Sequence, residues 1–324
     1  MTGANAAVDE RMLAYDRKSG RLTGAGLIDK VAVRALQAGS ALTRPFGHRG
    51  YGLGCKAVSA VATECDIVVR LNADAVFAMP FSDRYWSRIL DRRYDYEEEI
   101  EALLTSAAGL KYTLIDCGAN FGYWSVLATS KPFGCQQAIA IEASPANAAR
   151  LETNARLNAG RFKCLNAAIG AATGGYARIV GQKHEAFAAI PIGFREREAV
   201  RMLSVDGLVD EGFIDTSLPC LIKLDVEGQE IEALDGARRI LAGDSVVICE
   251  DHGADRNHSV TRHLIRSTDL KTFAFDPTKC RFFAVTAPSD LDRIKRHTWV
   301  GYNVFATSSP LWQDRLLSAT WAYR

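Results

Sequence analysis

Short apolar runs alternate with stretches of helical periodicity from Lys111 onward. Five runs of five or six residues are apolar almost throughout, which is typical of strands buried on both faces. They are YTLID at 112–116, AIAIE at 138–142, FKCLN at 162–166, CLIKLD at 220–225 and SVVICE at 245–250. Phe282–Val285 and Asn303–Ala306 are two further candidate strands. Because amphipathic helices are predicted between the runs, the pattern favours an α/β fold with a mostly parallel sheet covered on both faces.

The chain before this core is organised differently. Residues 1–62 hold nine Lys or Arg against four acids, and we expect them to form a basic N-terminal arm. Apolar residues in the arm recur at helical spacing. They are Leu27, Ile28, Val31, Ala35 and Leu36. This spacing predicts an amphipathic helix that packs on the main domain or on a dimer partner, with a membrane-surface role as the alternative.

Residues 63–110 are predicted to be a strand-helix lead-in to the core. The segment 66–80 has two apolar stretches around the turn formers Asn72 and Asp74, which predicts a hairpin. Apolar residues between 84 and 104 then follow helical spacing. We therefore expect three parts, namely the arm, this lead-in and a core domain over 111–324.

Composition and charge indicate a folded protein without a strong overall field. The 324 residues carry a formal net charge of only +1, so we expect no nucleic-acid partner. No apolar stretch approaches the roughly 18 residues of a membrane span, and the first residues lack the pattern of a signal peptide. None of the eight cysteines forms a CxxC pair, which suits a reducing compartment. We expect a cytoplasmic protein.

Polar residues end all five predicted core strands. They are Asp116, Glu142, Asn166, Asp225 and Glu250. In an open α/β sheet, ligands bind beyond the carboxyl ends of the strands, so these side chains are expected to line one ligand site.

A glycine-containing loop, Gly118-Ala119-Asn120-Phe121-Gly122, follows the first core strand. Gly118 permits a tight turn, and Gly122 lets the next helix pack near the strand. Asn120 stands where a dinucleotide-binding GxGxxG motif has its second glycine, and the third glycine is missing. The loop therefore suits a nucleoside without a pyrophosphate, such as S-adenosylmethionine. Asp116 would hold its amino group, and loop amides at the start of the helix would bind its carboxylate.

Three further residues support this interpretation. Glu142 ends the second strand, where an acid can accept both ribose hydroxyls. Asn166 is placed either to bind the adenine edge or to cap a turn. Lys223 lies in an apolar strand beside two acids, and because burying an unpaired charge is costly, we expect it to pair with one of them.

At these motifs the chain resembles the FkbM family of S-adenosylmethionine-dependent methyltransferases. The similar segments are IDCGANFGYWS at 115–125, AIEASPANAARLETNARLN at 140–158, NAAIG at 166–170, IKLDVEGQEIEALDGA at 222–237 and the strand ending at Glu250, with YDYEEEIEALL at 94–104 preceding them. The resemblance covers roughly residues 65–255. It implies a Rossmann-like methyltransferase fold, a seven-stranded, mostly parallel sheet with a reversed last strand, here with an N-terminal extension.

The same resemblance implies methylation of a hydroxyl, most often on a sugar, polyketide or other secondary metabolite. The residues expected to bind S-adenosylmethionine are Asp116, Gly118, Asn120, Gly122, Glu142, Ser144, Asn166 and Ala167. Such an enzyme must hold the acceptor hydroxyl in line with the methyl group and remove its proton. The candidate catalytic residues are Asp225, Glu227 and His252, just beyond the fourth and fifth strands.

Several alternatives remain open at this point. Asp225, Glu250 and Asp251 could instead supply oxygen ligands to Mg²⁺, although no metal ligand is assigned. An NAD-dependent oxidoreductase would share the sheet and the ribose acid, but it would need the missing glycines. A catalytically silent S-adenosylmethionine-binding protein would not need the candidate base.

The acceptor is expected to be a small molecule. The segment 181–201 lacks clear periodicity and is predicted to cross the open edge of the sheet as a lid or specificity loop. Its Arg195 and Arg197 hint at an anionic or sugar acceptor, although a solvated charged loop is the alternative. A homo-oligomer is possible on this sequence.

Overall fold

The computed structural model describes residues 13–62, 65–181, 183–194 and 196–322. The chain divides into two compact units, Met1–Tyr94 (unit 1) and Asp95–Arg324 (unit 2). None of the helices in these ranges has the length and apolar character needed to cross a bilayer.

The described residues of unit 1 form a four-stranded sheet and two α-helices. The strands are β1 (Leu13–Asp16), β2 (Leu22–Thr23), β3 (Asp66–Asn72) and β4 (Ala75–Pro80), in the order β2-β1-β3-β4. The helices are α1 (Leu27–Thr43) and α2 (Tyr51–Ser59), with 3₁₀ turns at Arg44–Phe46 and Trp86–Leu90. Strand β1 runs parallel to β3, and the other neighbours are antiparallel.

The predicted hairpin is confirmed in β3 and β4, where the side chain of Asn72 accepts from the backbone N–H of Asp74 at 2.8 Å.

The predicted three-part division differs from the compact units. Strands β1 and β2 of the arm share a sheet with β3 of the lead-in, so the boundary at 62 falls inside unit 1. The predicted helix over 84–104 is divided into the 3₁₀ turn Trp86–Leu90 and α3 (Glu98–Ser106), because Asp91 is extended and Glu97 has a φ of +47°.

Unit 2 is built on an eight-stranded sheet. Its strands are β5 (Thr113–Cys117), β6 (Gln137–Glu142), β7 (Lys163–Asn166), β12 (Cys220–Leu224), β13 (Ser245–Glu250), β14 (Lys271–Asp276), β15 (Arg281–Val285) and β16 (Asn303–Thr307). The order across the sheet is β15-β14-β16-β13-β12-β5-β6-β7. The five strands from β13 to β7 are parallel, and β16 is antiparallel to both of its neighbours. The predicted α/β sheet with a reversed last strand is confirmed, and β14, which was not among the predicted strands, makes it one strand wider than predicted.

A second sheet of unit 2 is small. It contains β8 (Ala168–Ile169), β9 (Tyr176–Val180), β10 (Ala188–Ile192) and β11 (Val200–Leu203), in the order β10-β9-β11-β8. The remaining helices of unit 2 are α4 (Tyr123–Ala128), α5 (Pro145–Leu157), α6 (Val205–Asp210), α7 (Glu230–Asp235), α8 (Arg238–Leu241), α9 (Ser259–Ser267) and α10 (Pro310–Ser318).

Local sequence explains how the central strands and helices form. Strands β5 and β12 are buried at every position, as their apolar runs predict. Helix α5 begins as expected, because the Ser144 side chain accepts from the backbone N–H of Asn147 and Pro145 occupies the first turn. These elements place the ends of β5, β6, β7, β12 and β13 along one edge of the sheet.

A fully buried ion pair fixes the chain beyond β13. Lys295 pairs with Asp251, and both side chains have no exposed surface. Lys295 also donates to the carbonyl oxygen of His252 at 3.1 Å, while Asp251 accepts from the backbone N–H and the hydroxyl of Thr261 in α9. The pair therefore ties the segment after β13 to α9 and to the loop that precedes β16.

Replacing Lys295 by methionine should destabilise unit 2 by about 3–5 kcal/mol, because Asp251 would stay buried without its cation. Urea unfolding followed by circular dichroism would measure the loss. Lys163→Met, at an exposed lysine of the same unit, is the matched control and should change stability by less than about 1 kcal/mol. Equal stability of the two variants would contradict the assignment.

Candidate active site

The loop from Gly118 to Gly122 connects β5 to α4 and passes very close to β12. A Cβ atom on Gly118 would lie 1.7 Å from the carbonyl oxygen of Asp225, and its φ is +76°. Gly122 has a φ of +86°, and a Cβ atom there would lie 2.5 Å from the side chain of Leu151 in α5. Both glycines are therefore required by close packing and by left-handed backbone conformation.

Glu142, at the end of β6, holds the glycine loop against α5. One carboxylate oxygen accepts from the backbone N–H of Asn120 and the other from that of Ser144, each at 2.8 Å. The side chain is buried, and burial raises the pKa of Glu142 to about 7. Because each carboxylate oxygen can accept a second hydrogen bond, Glu142 can still receive ligand hydroxyls.

Asn166 supports the same strand end. Its side-chain Nδ2 donates to the carbonyl oxygens of Glu142 at 2.8 Å and Ala143 at 3.0 Å, and the backbone N–H of Ala167 donates to Glu142 O at 3.2 Å. These bonds match the turn-capping alternative. Adenine recognition by Asn166 stays a prediction.

The loop of the β9–β10 hairpin lies against the glycine loop. The carbonyl oxygen of His184 accepts from Nδ2 of Asn120 at 2.9 Å and from Nδ2 of Asn147 at 2.8 Å. The His184 ring stacks on Phe121, with ring centroids 4.9 Å apart.

The segment 181–201 was predicted to be an irregular lid, and this was wrong for Ala188–Ile192, which form strand β10. The pairing of β10 with β9 is not visible in the periodicity of either segment.

Arg195 and Arg197, in the segment 181–201, had hinted at an anionic or sugar acceptor. Arg195 lies outside the described residues, and Arg197 is exposed.

Asp116 is buried at the end of β5. One carboxylate oxygen accepts from the hydroxyl of Ser125 at 2.8 Å, and the other is buried without a hydrogen-bond partner. Burial raises the pKa of Asp116, while the charge of Lys223 acts in the opposite direction. A buried acidic oxygen that lacks a donor is suited to bind a donor from a ligand.

Lys223 is the buried cation of the site. It lies beside Asp116 in the β5–β12 register, and its Nζ donates to Asp225 at 2.7 Å, which confirms the expected pairing. Burial alone would lower the pKa of Lys223, but the negative charges of Asp225, Glu97 and Asp116 raise it above its ordinary value. Lys223 therefore stays protonated and stabilises the surrounding carboxylates.

Three carboxylates gather beyond the ends of β12 and β13. Asp225, Glu227 and Glu250 are half-buried, and each has an oxygen within 4.8 Å of the other two. Burial, reinforced by the charge of Asp225, raises the pKa of Glu227 to about 7. Burial and the same neighbour raise the pKa of Glu250 well above its ordinary value. The cluster therefore contains one carboxyl group, that of Glu227, which exchanges its proton near neutral pH.

The structure alters the expected roles of Asp251 and His252. Asp251 is paired with Lys295, so the carboxylate that lies with Asp225 and Glu250 is Glu227 and not Asp251, which the magnesium alternative had required. His252 is exposed, and its Nδ1 accepts from the backbone N–H of Ala254 at 3.1 Å. Among the described interactions, none joins His252 to the three carboxylates.

Two residues of the site were missed by sequence analysis. Glu97 accepts from Nε1 of Trp124 at 2.7 Å and from Nδ2 of Asn303 at 3.1 Å. Its charge also acts on Lys223 and Glu250. Glu97 could have been found from its place in the segment 94–104, which resembles the family. Asn303 could not, because it starts a strand that carries no motif.

Comparison with known proteins agrees with this geometry. Residues 116–269 match the family model described as Methyltransferase FkbM domain. Among curated proteins, none matches the chain. The matched residues begin at Asp116 and include the glycine loop, Glu142 and the carboxylate cluster.

Several solved structures are similar to the chain at low identity. Methyltransferase FkbM from Methylobacillus flagellatus KT is 16% identical, with a TM-score of 0.38; the match covers 66% of this chain and 56% of that one. M. jannaschii TYW2 in complex with AdoMet is 12% identical, with a TM-score of 0.39 and coverage of 76% and 85%. The O-methyltransferase from Bacillus cereus in complex with SAH is 12% identical, with a TM-score of 0.37 and coverage of 65% and 80%. The family match therefore lies on the residues that build the site, and residues 116–269 are similar to an FkbM methyltransferase domain.

Proposed function

We propose that this protein transfers the methyl group of S-adenosylmethionine to a hydroxyl of a small molecule, such as a sugar or another secondary metabolite. The observation that carries the proposal is the family match over residues 116–269, which contain both the glycine loop with Glu142 and the adjacent carboxylate cluster. The first part suits a nucleoside, and the second suits removal of a hydroxyl proton.

The residues around the glycine loop fit S-adenosylmethionine by their chemistry. The buried oxygen of Asp116 that lacks a donor would accept from the amino group, and Glu142 would accept from the ribose hydroxyls. Asn120, Ser144, Asn166 and Ala167 would support or contact the nucleoside from the neighbouring strand ends. The bound cofactor supplies an activated methyl group on its sulfonium.

Glu227 is the group that we propose as the base. Its carboxyl group has a pKa near 7 and can therefore accept a proton at neutral pH. Asp225 is already paired with Lys223 at 2.7 Å, so it would position the acceptor or support Glu227 rather than carry the proton. The Glu227 carboxylate would take the hydroxyl proton as the oxygen–methyl bond forms, and it would then release that proton to solvent.

The β9–β10 loop would shield the reaction from water. It contacts the glycine loop through His184, and Glu185 in the same loop contributes to the raised pKa of Glu227. The loop therefore extends from the expected nucleoside to the expected acceptor. Excluding water at this place would favour methyl transfer to the acceptor over loss to solvent.

The first prediction separates cofactor binding from catalysis. Asp116→Ala and Glu142→Ala should weaken S-adenosylmethionine binding roughly 10- to 100-fold, because each removes a charged hydrogen-bond acceptor. Asp225→Ala should bind the cofactor with unchanged affinity and slow methyl transfer. Calorimetric titration would measure binding, with NAD as the control ligand. Equal affinity in all three variants, or tighter binding of NAD, would contradict this division.

The second prediction concerns pH. With Glu227 as the base, kcat should rise about tenfold per pH unit below about 7 and level off above it, because only the deprotonated carboxylate accepts a proton. Glu227→Gln should lower kcat by about 10²- to 10⁴-fold and abolish this rise. His252→Gln is the control and should retain both. The assay would use isotopically labelled S-adenosylmethionine with an acceptor identified by mass spectrometry in a fractionated metabolite extract. Loss of the pH dependence in the His252 variant would assign the base to His252 instead.

A further inference from the structure

Helix α1 is apolar on two opposite sides. Its buried side contains Ala32, Val33 and Leu36, which pack within unit 1. Its other side exposes large apolar side chains. Their exposed fractions are 80% for Leu27, 60% for Ile28, 60% for Val31 and 75% for Leu42. A surface helix normally has one apolar stripe, so the second one indicates a partner.

The exposed apolar residues of α1 form one stripe with a basic border. At about 100° of rotation per residue, Leu27, Val31 and Leu42 lie within about 60° of one another around the helix axis. Lys30 and Arg34 lie on one flank of this stripe, and both are exposed. We call these five residues the α1 face.

The surrounding segment is strongly positive. Residues 27–62 contain five Lys or Arg and a single acid, Asp29, a formal charge of +4; because the whole chain totals +1, the remainder carries −3. Asp29 is buried and accepts from the backbone N–H of Gly26 at 3.0 Å. Lys30, Arg34 and Lys56 are exposed and form no ion pair among the described residues. The exposed charge of this segment is therefore almost entirely positive.

We propose that the α1 face docks unit 1 on the surface of an anionic lipid bilayer. Exposed apolar side chains on a convex helix can insert among lipid tails without a complementary groove, while neighbouring Lys and Arg contact negative headgroups. Phe46, Leu53 and Val61, in and after the same helical segment, are also 65%, 74% and 67% exposed and add apolar surface in unit 1.

The charge distribution favours lipid over a second copy of the chain. A two-fold symmetric contact through the α1 face would bring together two copies of the same basic segment, each with a formal charge of +4. Like charges at an interface oppose association, and Lys is uncommon at the centre of protein interfaces. A negatively charged bilayer is complementary to the same residues.

Flotation of the full chain with lipid vesicles tests this proposal. The protein should bind vesicles of phosphatidylcholine with phosphatidylserine, bind pure phosphatidylcholine vesicles much more weakly, and detach as the salt concentration rises. The Lys30→Gln/Arg34→Gln variant should bind about 25-fold more weakly, at about fivefold for each charge removed. Leu27→Ser/Val31→Ser should also bind weakly, because less apolar surface inserts.

The control has the same charge change on unit 2. Lys163 and Arg266 are exposed, and Lys163→Gln/Arg266→Gln should bind vesicles like the unaltered protein. Circular dichroism would establish that all variants are folded. Equal binding to both kinds of vesicle, or equal losses in the two double glutamine variants, would overturn the proposal. Absence of vesicle binding would also overturn it, and a dimer in light scattering that Leu27→Ser/Val31→Ser dissociates would then assign the α1 face to a second copy.

Discussion

The close approach of Gly118 to the backbone of Asp225 is the constraint on which the site depends. The backbone N–H of Asp225 donates to the carbonyl oxygen of Cys117 at 3.1 Å, so β5 and β12 remain paired up to the last residue of each strand. Any side chain at position 118 would overlap Asp225 O, since a Cβ atom would lie 1.7 Å from it. The glycine therefore does more than shape a ligand loop. It allows the glycine loop and the carboxylate cluster to lie at the ends of adjacent strands.

Electrostatics assigns different tasks to acids that look equivalent in the sequence. The positive charge of Lys223 interacts with these carboxylates, and Lys223 forms its hydrogen-bonded ion pair with Asp225. Glu227 and Glu250 experience the negative charge of Asp225 in addition to burial, and both have raised pKa values. Lys223 therefore leaves Asp225 paired, while burial and the charge of Asp225 make Glu227 a better proton acceptor than an exposed carboxylate, against the opposing charge of Lys223. A uniform set of exposed carboxylates would not differ in pKa in this way.

The sequence predicted those parts of the fold and site that depend on local pattern. The apolar runs gave the five parallel strands, and a parallel sheet necessarily brings the ends of those strands to one edge, as the pairing of Glu142 with Asn166 shows. Features that depend on pairing between distant segments were missed. The pattern of β14 and of the strands β8 to β11 carries little signal without their partners. Glu97 and Asn303 meet although 206 residues separate them, and no motif includes both.

Helix α1 shows what periodicity can and cannot establish. The spacing of Leu27, Ile28, Val31, Ala35 and Leu36 correctly predicted a helix. It did not predict which side is buried, because the helix is apolar around most of its circumference and only packing against the rest of unit 1 selects Ala32, Val33 and Leu36. Net charge has the same weakness when it is taken over a whole chain. A total of +1 combines a segment of +4 with a remainder of −3, and association with a surface depends on the charge of the segment that faces it.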